Sequence, residues 1–222
     1  MLDAAGAAGG GAIAVVDDDA DVREAVAFLL GTEGRRTATF ASAEALLRSG
    51  PAAALSCFLV DVRMPGGMDG IALLRELRRR GHPAPVLVMT GHGDVPLAVR
   101  AMREGAFDFI EKPFDDTALL DAIAAAVAAA RTEAASPRGD EEAKARVRGL
   151  SPRERDVLDG LLAGRANKAI AFDLGISPRT VEVHRAKLME KLGVRSVGEA
   201  VRIALAAGVG TGERPAGRDG KG

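Results

Sequence analysis

Asp17-Asp18, Asp61, Thr90 and Lys112 are far apart in the chain, yet each stands where a strand-like run stops. Ile13-Ala14-Val15-Val16 runs into Asp17-Asp18-Asp19. Cys57–Val60 runs into Asp61 and then into a Pro65-Gly66-Gly67 loop. Pro85–Met89 ends at Thr90, and Phe107–Ile110 ends at Glu111-Lys112-Pro113-Phe114. If these runs are parallel strands of one sheet, their carboxyl ends share an edge, where ligands bind in open α/β folds. Three carboxylates crowded there repel one another. A hard divalent cation with oxygen ligands, Mg²⁺ or Mn²⁺, relieves the repulsion. A carboxylate beside such a metal can attack phosphorus and give an aspartyl phosphate. That transfer needs positioning and neutralisation of the equatorial oxygens more than covalent help. The metal and the Lys112 ammonium supply positive charge, and the Thr90 hydroxyl supplies a donor. The set suffices to accept a phosphoryl group. No Gly-rich P-loop with Gly-Lys-Ser/Thr accompanies it, so the phosphate is expected from another protein or a small phosphodonor.

The elements that must position these residues alternate between strand and helix patterns. Apolar spacing at Val22, Val26, Leu29 and Leu30 predicts a helix over 20–32, punctuated by Gly31 and Gly34. Arg36–Phe40 reads as a weak, polar edge strand. Ser42 can cap a helix over 43–48, and Asp69 one over 70–80 with Ile71, Leu74 and Leu77 inward. Asp94 can cap a fourth helix over 95–103, and Asp115 or Asp116 begins a fifth that runs to about Arg131. Five βα units predict a five-stranded parallel sheet covered on both faces, in the flavodoxin-like order 2-1-3-4-5. The switch point then falls between the first and third strands, so Asp17-Asp18 and Asp61 meet there.

Residues 150–209 carry only helix signals. Ser151-Pro152-Arg153-Glu154 is a capping box, and helices are expected over 152–163, 167–174, 177–192 and 196–207, with Ser196-Val197-Gly198-Glu199 as a second box. A short helix, a tight turn at Gly175-Ile176 and a longer helix make a helix-turn-helix candidate in an all-α, four-helix domain. In the longer helix Val181, His184, Leu188 and Leu192 are expected inward. Arg179, Glu182, Val183, Ala186 and Glu190 look outward, with Arg185 and Lys187 on the flanks. Small and apolar residues beside basic ones suit a DNA major groove, and Asn167 and Lys168 suit its phosphate backbone. The plain alternative is a solvated helix.

Charge is uneven. Residues 1–131 hold 13 Lys/Arg against 18 Asp/Glu, and residues 150–209 hold 10 against 7, which suggests two modules with different partners. Cys57 is the only cysteine, so an internal disulfide is excluded, and it reads as a core residue. Ala122–Ala130 is too short to span a bilayer, and Met1–Gly11 does not read as a signal peptide. A cytoplasmic protein is the simplest reading. The expected organisation is a tail over 1–11, an α/β domain over 12–131, a polar linker over 132–149 that is flexible or partly helical, a helical domain over 150–209, and a Gly-rich tail over 210–222.

Four stretches carry a family resemblance: Val16–Asp19, Leu59–Pro65, Met89–Asp94 and Glu111–Phe114. Region 12–131 resembles a two-component response-regulator receiver domain. Through Leu150–Arg155 and Ile176–Arg185, region 150–209 resembles a LuxR-type helix-turn-helix. The combination is similar to the FixJ/NarL class, and within it to FixJ-type members. The resemblance implies that Asp61 is the phosphoacceptor and that Asp17, Asp18, Asp61 and the backbone carbonyl of Arg63 hold Mg²⁺ (Mn²⁺ being the substitute). It implies that Thr90 and Lys112 assist, that Thr90 and Phe109 form the switch, and that the bond before Pro113 is cis. It adds Thr180 to the DNA contacts. The implied partners are a sensor histidine kinase, double-stranded DNA, RNA polymerase holoenzyme and, when phosphorylated, a second copy of the chain; no membrane is expected. One departure stands out: between Pro65 and Gly70 there is one residue more than the common pattern, at Gly66-Gly67.

Blander readings exist for each part. Asp17-Asp18-Asp19 can be a helix N-terminal acidic cluster, and Arg78-Arg79-Arg80 a complement to a helix dipole. Phe109 is expected in the core. An aspartyl-nucleophile phosphatase would place a carboxylate two residues after Asp61, and Arg63 stands there. A DNA-binding or interaction protein independent of phosphorylation is the other alternative.

Overall fold

The computed structural model describes residues 11–50, 55–91, 95–132, 139–194 and 196–209. The expected tails, apart from Gly11 in the first, and the expected cap Asp94 lie outside these residues. The chain divides into two compact units, Met1–Ser136 and Pro137–Gly222.

The first unit alternates β1 (Ala12–Val16), α1 (Ala20–Thr32), β2 (Thr37–Phe40), α2 (Ala43–Arg48), β3 (Leu55–Asp61), α3 (Gly70–Arg79), β4 (Val86–Thr90), α4 (Val95–Arg103), β5 (Asp108–Glu111) and α5 (Asp116–Thr132). The strands form one parallel sheet in the order β2-β1-β3-β4-β5. Period-two alternation divides its side chains between two layers. Ile13, Val15, Cys57, Leu59, Leu87 and Met89 pack with Val26 and Leu30 of α1 and Leu119, Ile123 and Ala126 of α5. Ala14, Val16, Phe58, Val60, Val86 and Val88 are buried on the opposite face, and Leu46, Leu73, Leu77, Ala98 and Met102 are buried on α2, α3 and α4. Each buried aliphatic side chain stabilises by about 1.5–3 kcal/mol, and the buried polar residues Asp17, Asp61, Thr90 and Asp108 stand at or just past strand ends.

Register brings those ends together. Val16 pairs with Val60, Asp61 with Met89, and Thr90 with Glu111. Asp17, Asp61, Thr90 and Lys112 therefore emerge at one edge. The helices that follow are capped as their sequences suggest. Ser42 accepts from Ala45 N at 3.2 Å, Asp69 from Ala72 N at 2.7 Å and Asp115 from Ala118 N at 3.0 Å. Arg78 does more than meet a helix dipole. Its guanidinium donates to the carbonyls of His82 and Ala84 and to that of Gly105, which ties the turn after α3 to the turn before β5. Burial pushes the Cys57 thiol up to about 12, in keeping with a core residue.

The second unit is helical: α6 (Gly139–Arg148), α7 (Pro152–Leu162), α8 (Asn167–Leu174), α9 (Pro178–Leu192) and α10 (Val197–Ala206). The stretch left open between flexible and helical linker is thus helical over 139–148. Ala143 and Val147, one turn apart, are buried, and α6 packs on α10 and α9. The capping box at Ser151 is complete, Ser177 caps α9, and Gly175 turns between α8 and α9 at φ +65°. Gly160 lets α8 approach α7: a Cβ there would fall 2.7 Å from Cγ1 of Ile170.

Candidate functional site

At the sheet edge, Asp17 is fully buried, Asp61 and Thr90 are buried, and Asp18 is exposed. Carboxylate oxygens of Asp17, Asp18 and Asp61 lie within 4.8 Å of one another. Such an all-oxygen anionic set fits a hard divalent cation in kind. The Lys112 ammonium bridges Asp17 Oδ2 at 2.6 Å and Asp61 Oδ2 at 3.1 Å. Asp17 is held further by Asp19 N, which donates to Oδ1 at 3.0 Å, while Arg23 of α1 donates to its backbone carbonyl at 2.7 Å. Arg63 N donates to Asp61 Oδ1 at 3.3 Å, and the Arg63 side chain is exposed. The Lys112–Pro113 bond is cis, and Lys112 N donates to the Thr90 carbonyl at 2.7 Å.

The electrostatics follow from crowding. Burial raises the Asp61 pKa above the usual carboxylate range; the Lys112 hydrogen bond opposes this and the Asp17 charge adds to it. Burial acts to lower the Lys112 pKa, but its bonds to Asp17 and Asp61 outweigh that, and the net direction is upward.

Phe109 departs from its expected place in the core: it is half-buried. β5 is the edge strand of the sheet, so its outer face has less cover.

The second region presents its candidate residues on one helix. Val181, Leu188 and Leu192 are buried, as the spacing requires, while His184 is half-buried. Arg179, Glu182, Val183, Ala186, Lys187 and Glu190 are exposed, and Arg185 is half-buried. Val183 is 49% exposed. Thr180 is half-buried, and its hydroxyl lies 2.8 Å from the Ser177 Oγ. On α8 Lys168 is exposed and Asn167 half-buried.

Two cross-helix contacts that set this helix, Glu154–Lys191 and Arg146–Leu192, have no local sequence signal. Glu154, only 3% exposed, accepts Ser151 N and the Lys191 ammonium, each at 2.7 Å, and so joins the start of α7 to the end of α9. The Lys191 ammonium and the Ser151 amide hold its carboxyl down at about 2. Arg146 of α6 donates to the carbonyl of Leu192, the last residue of α9, at 3.2 Å.

Comparison with known proteins decides the family. Residues 13–124 match the response regulator receiver domain and residues 148–204 match the bacterial regulatory proteins of the luxR family. The chain belongs to the response regulators. It is 51% identical, over 88% of its length and 92% of the relative's, to the transcriptional regulatory protein FixJ of Azorhizobium caulinodans. It is 42% identical to the C4-dicarboxylate transport transcriptional regulatory protein DctR of Rhodobacter capsulatus, covering 85% of this chain and 96% of that one. The crystal structure of full-length FixJ from B. japonicum is similar to it with a TM-score of 0.52 at 48% identity, covering 89% and 97% of the two chains. The regulator thus pairs a receiver domain with a LuxR-type DNA-binding domain in a FixJ-like two-component transcription regulator. Both relatives are named transcriptional regulatory proteins. Receiver domains generally bind Mg²⁺, and the two domain types imply a histidine kinase and DNA as partners. Among the described residues, no helix is long and apolar enough to cross a membrane.

Proposed function

We propose that a sensor histidine kinase phosphorylates Asp61 and that this charge controls binding of a dimer to DNA through α9. The observation that carries the reading is the Lys112 ammonium bridging two buried carboxylates from different strands. One Asp61 oxygen forms a bond to phosphorus as the P–N bond to the kinase imidazole breaks. The electron pair stays on that nitrogen, which takes up a proton. Asp17, Asp18, Asp61 and the Arg63 carbonyl hold Mg²⁺, which when bound supplies positive charge to the phosphoryl oxygens. Lys112 moves from the carboxylate to the phosphoryl group, and Thr90 donates its hydroxyl there. Phe109, half-buried on the edge strand, follows Thr90 and changes the face built from α4 and β5. Two receivers then pair, and the DNA-binding unit is freed for a two-half-site operator. This is a shift between two states biased by a local charge change. Pairing raises DNA affinity through effective concentration.

On the output side Arg179, Glu182, Val183 and Ala186 read base edges, with Val183 and Ala186 suited to thymine methyls. Asn167, Lys168, Thr180, Arg185 and Lys187 hold phosphates. The regulator works in the cytoplasm, where it recruits RNA polymerase holoenzyme and activates transcription. The receiver, 12–131, and the DNA-binding domain, 150–209, act as separate modules joined through 132–149. Incubation of the full chain with acetyl phosphate and Mg²⁺ should give a stoichiometric, acid-stable and base-labile label at Asp61. The Asp61→Asn variant should take none. A label elsewhere, or turnover of added phosphomonoesters, would defeat the reading.

A further inference from the structure

The loop between β3 and α3 holds the extra residue at Gly66-Gly67, and nothing in the phosphotransfer reading uses it. Its base is closed tightly. Gly70 N donates to the Val62 carbonyl at 3.1 Å, and a Cβ on Gly70 would fall 2.2 Å from the Asp61 carbonyl oxygen. Only glycine lets α3 begin so close to the strand that ends in Asp61. The far side of the loop is held from another element. Glu44, in the first turn of α2, accepts Met68 N on Oε1 at 2.7 Å. Gly67 lies against the same carboxylate: a Cβ there would fall 2.7 Å from Oε1 and 3.1 Å from Oε2. Gly66 sits at φ +89°, a conformation open to glycine. The two glycines therefore let the lengthened loop fold back onto Glu44.

We infer that Glu44 is a positioning residue for phosphotransfer, holding the Gly66–Met68 arc against α2 and so fixing the course of the segment that runs from Asp61 through Arg63. The inference rests on the reading of Asp61 as phosphoacceptor and of the Arg63 carbonyl as a metal ligand. With its base fixed at Gly70 and its arc fixed at Glu44, the segment has little freedom to move the Arg63 carbonyl. A charge-assisted bond to a backbone amide is stronger than a neutral one. In agreement, the Met68 amide holds the Glu44 carboxyl below its ordinary range. The added residue is accommodated by a contact instead of by looseness.

The test uses the full chain and two readouts: Mg²⁺ affinity by calorimetry, and the rate of Asp61 labelling by acetyl phosphate. Glu44→Ala should lower both by roughly threefold to tenfold, the equivalent of one hydrogen bond. Glu44→Gln should recover most of the loss, because its amide oxygen can accept Met68 N–H. Gly67→Ala should reproduce the Glu44→Ala effect by displacing the carboxylate, and the double variant should add nothing further. Wild-type Mg²⁺ affinity and labelling in Glu44→Ala would overturn the inference. So would additive losses in the double variant, or losses that follow melting temperature without rescue by Gln. Label in the Asp61→Asn control would overturn the phosphoacceptor reading instead, so the two failures are distinguishable.

Discussion

Asp17 and Asp61 are buried and share Lys112, which directly follows β5, whereas Arg179, Glu182, Val183 and Ala186 stand exposed on one helix. The first site is made by the fold. Its groups are charged, crowded and partly stripped of water, so each sets the energy of the others. The second is a surface whose residues scarcely depend on one another, although the helix beneath them is held by buried partners. A receiver substitution should therefore change chemistry and stability together. A substitution on the exposed face of α9 should change DNA affinity alone.

The sharpest way to break that contrast is Lys112→Ala. It leaves Asp17 buried without its ammonium, and we expect a loss of about 2 kcal/mol without divalent ions. Saturating Mg²⁺ should return part of this by mass action, a recovery that urea titrations with and without Mg²⁺ would show. A Mg²⁺ that raises the stability of neither protein would mean that the carboxylates do not hold the metal.

A second variant asks whether the DNA-binding unit has a comparable dependence beneath its surface. Glu154→Ala removes a buried carboxylate that serves both Ser151 N and Lys191. It should destabilise the second unit by about 1.5–2 kcal/mol and leave the melting of the first unchanged. The carboxyl is lowered from 4.5 to about 2 in the folded state. Its stabilisation is therefore present above pH 4.5 and is lost as pH falls through about 2. The second unit should lose stability across that window in the wild type, and less so in Glu154→Gln.

The smallest effects belong to the exposed helix. Arg185→Ala and Lys187→Ala should each weaken binding to randomised duplex DNA roughly severalfold, and reduce the slope of log K against log salt by about one. Melting temperature should stay unchanged. Val183→Ala should leave the slope intact and relax sequence preference, as selection from the same pool would reveal. A fall in melting temperature with any of the three would remove the distinction between the regions.

Legibility in the sequence follows the same division. The sheet order, the strand ends and the caps at Ser42, Asp69 and Ser151 could be read because each depends on local pattern: alternation, a terminating carboxylate, a hydroxyl or carboxylate before a helix. Meeting of Asp17, Asp61 and Lys112 followed from topology alone. The pairs Glu44–Met68, Arg23–Asp17, Glu154–Lys191 and Arg146–Leu192 could not be read. In sequence each is a polar residue on a helix, and its partner is fixed only by how elements cross. Phe109 differs from its sequence expectation for a related reason: its apolar character is local, but its cover depends on β5 being an edge. Over 139–148 the buried pair Ala143 and Val147 is too sparse a stripe to separate helix from coil.

In the reading proposed above, a charge added at Asp61 governs what α9 does. The most direct test is the fraction of randomised duplex DNA bound by the full chain before and after incubation with acetyl phosphate and Mg²⁺, for wild type and Asp61→Asn side by side. Binding should rise for the wild type, with a shift to dimer, and stay unchanged for Asp61→Asn. An equal rise in both proteins, or a fully labelled wild type that binds no better than before, would contradict it.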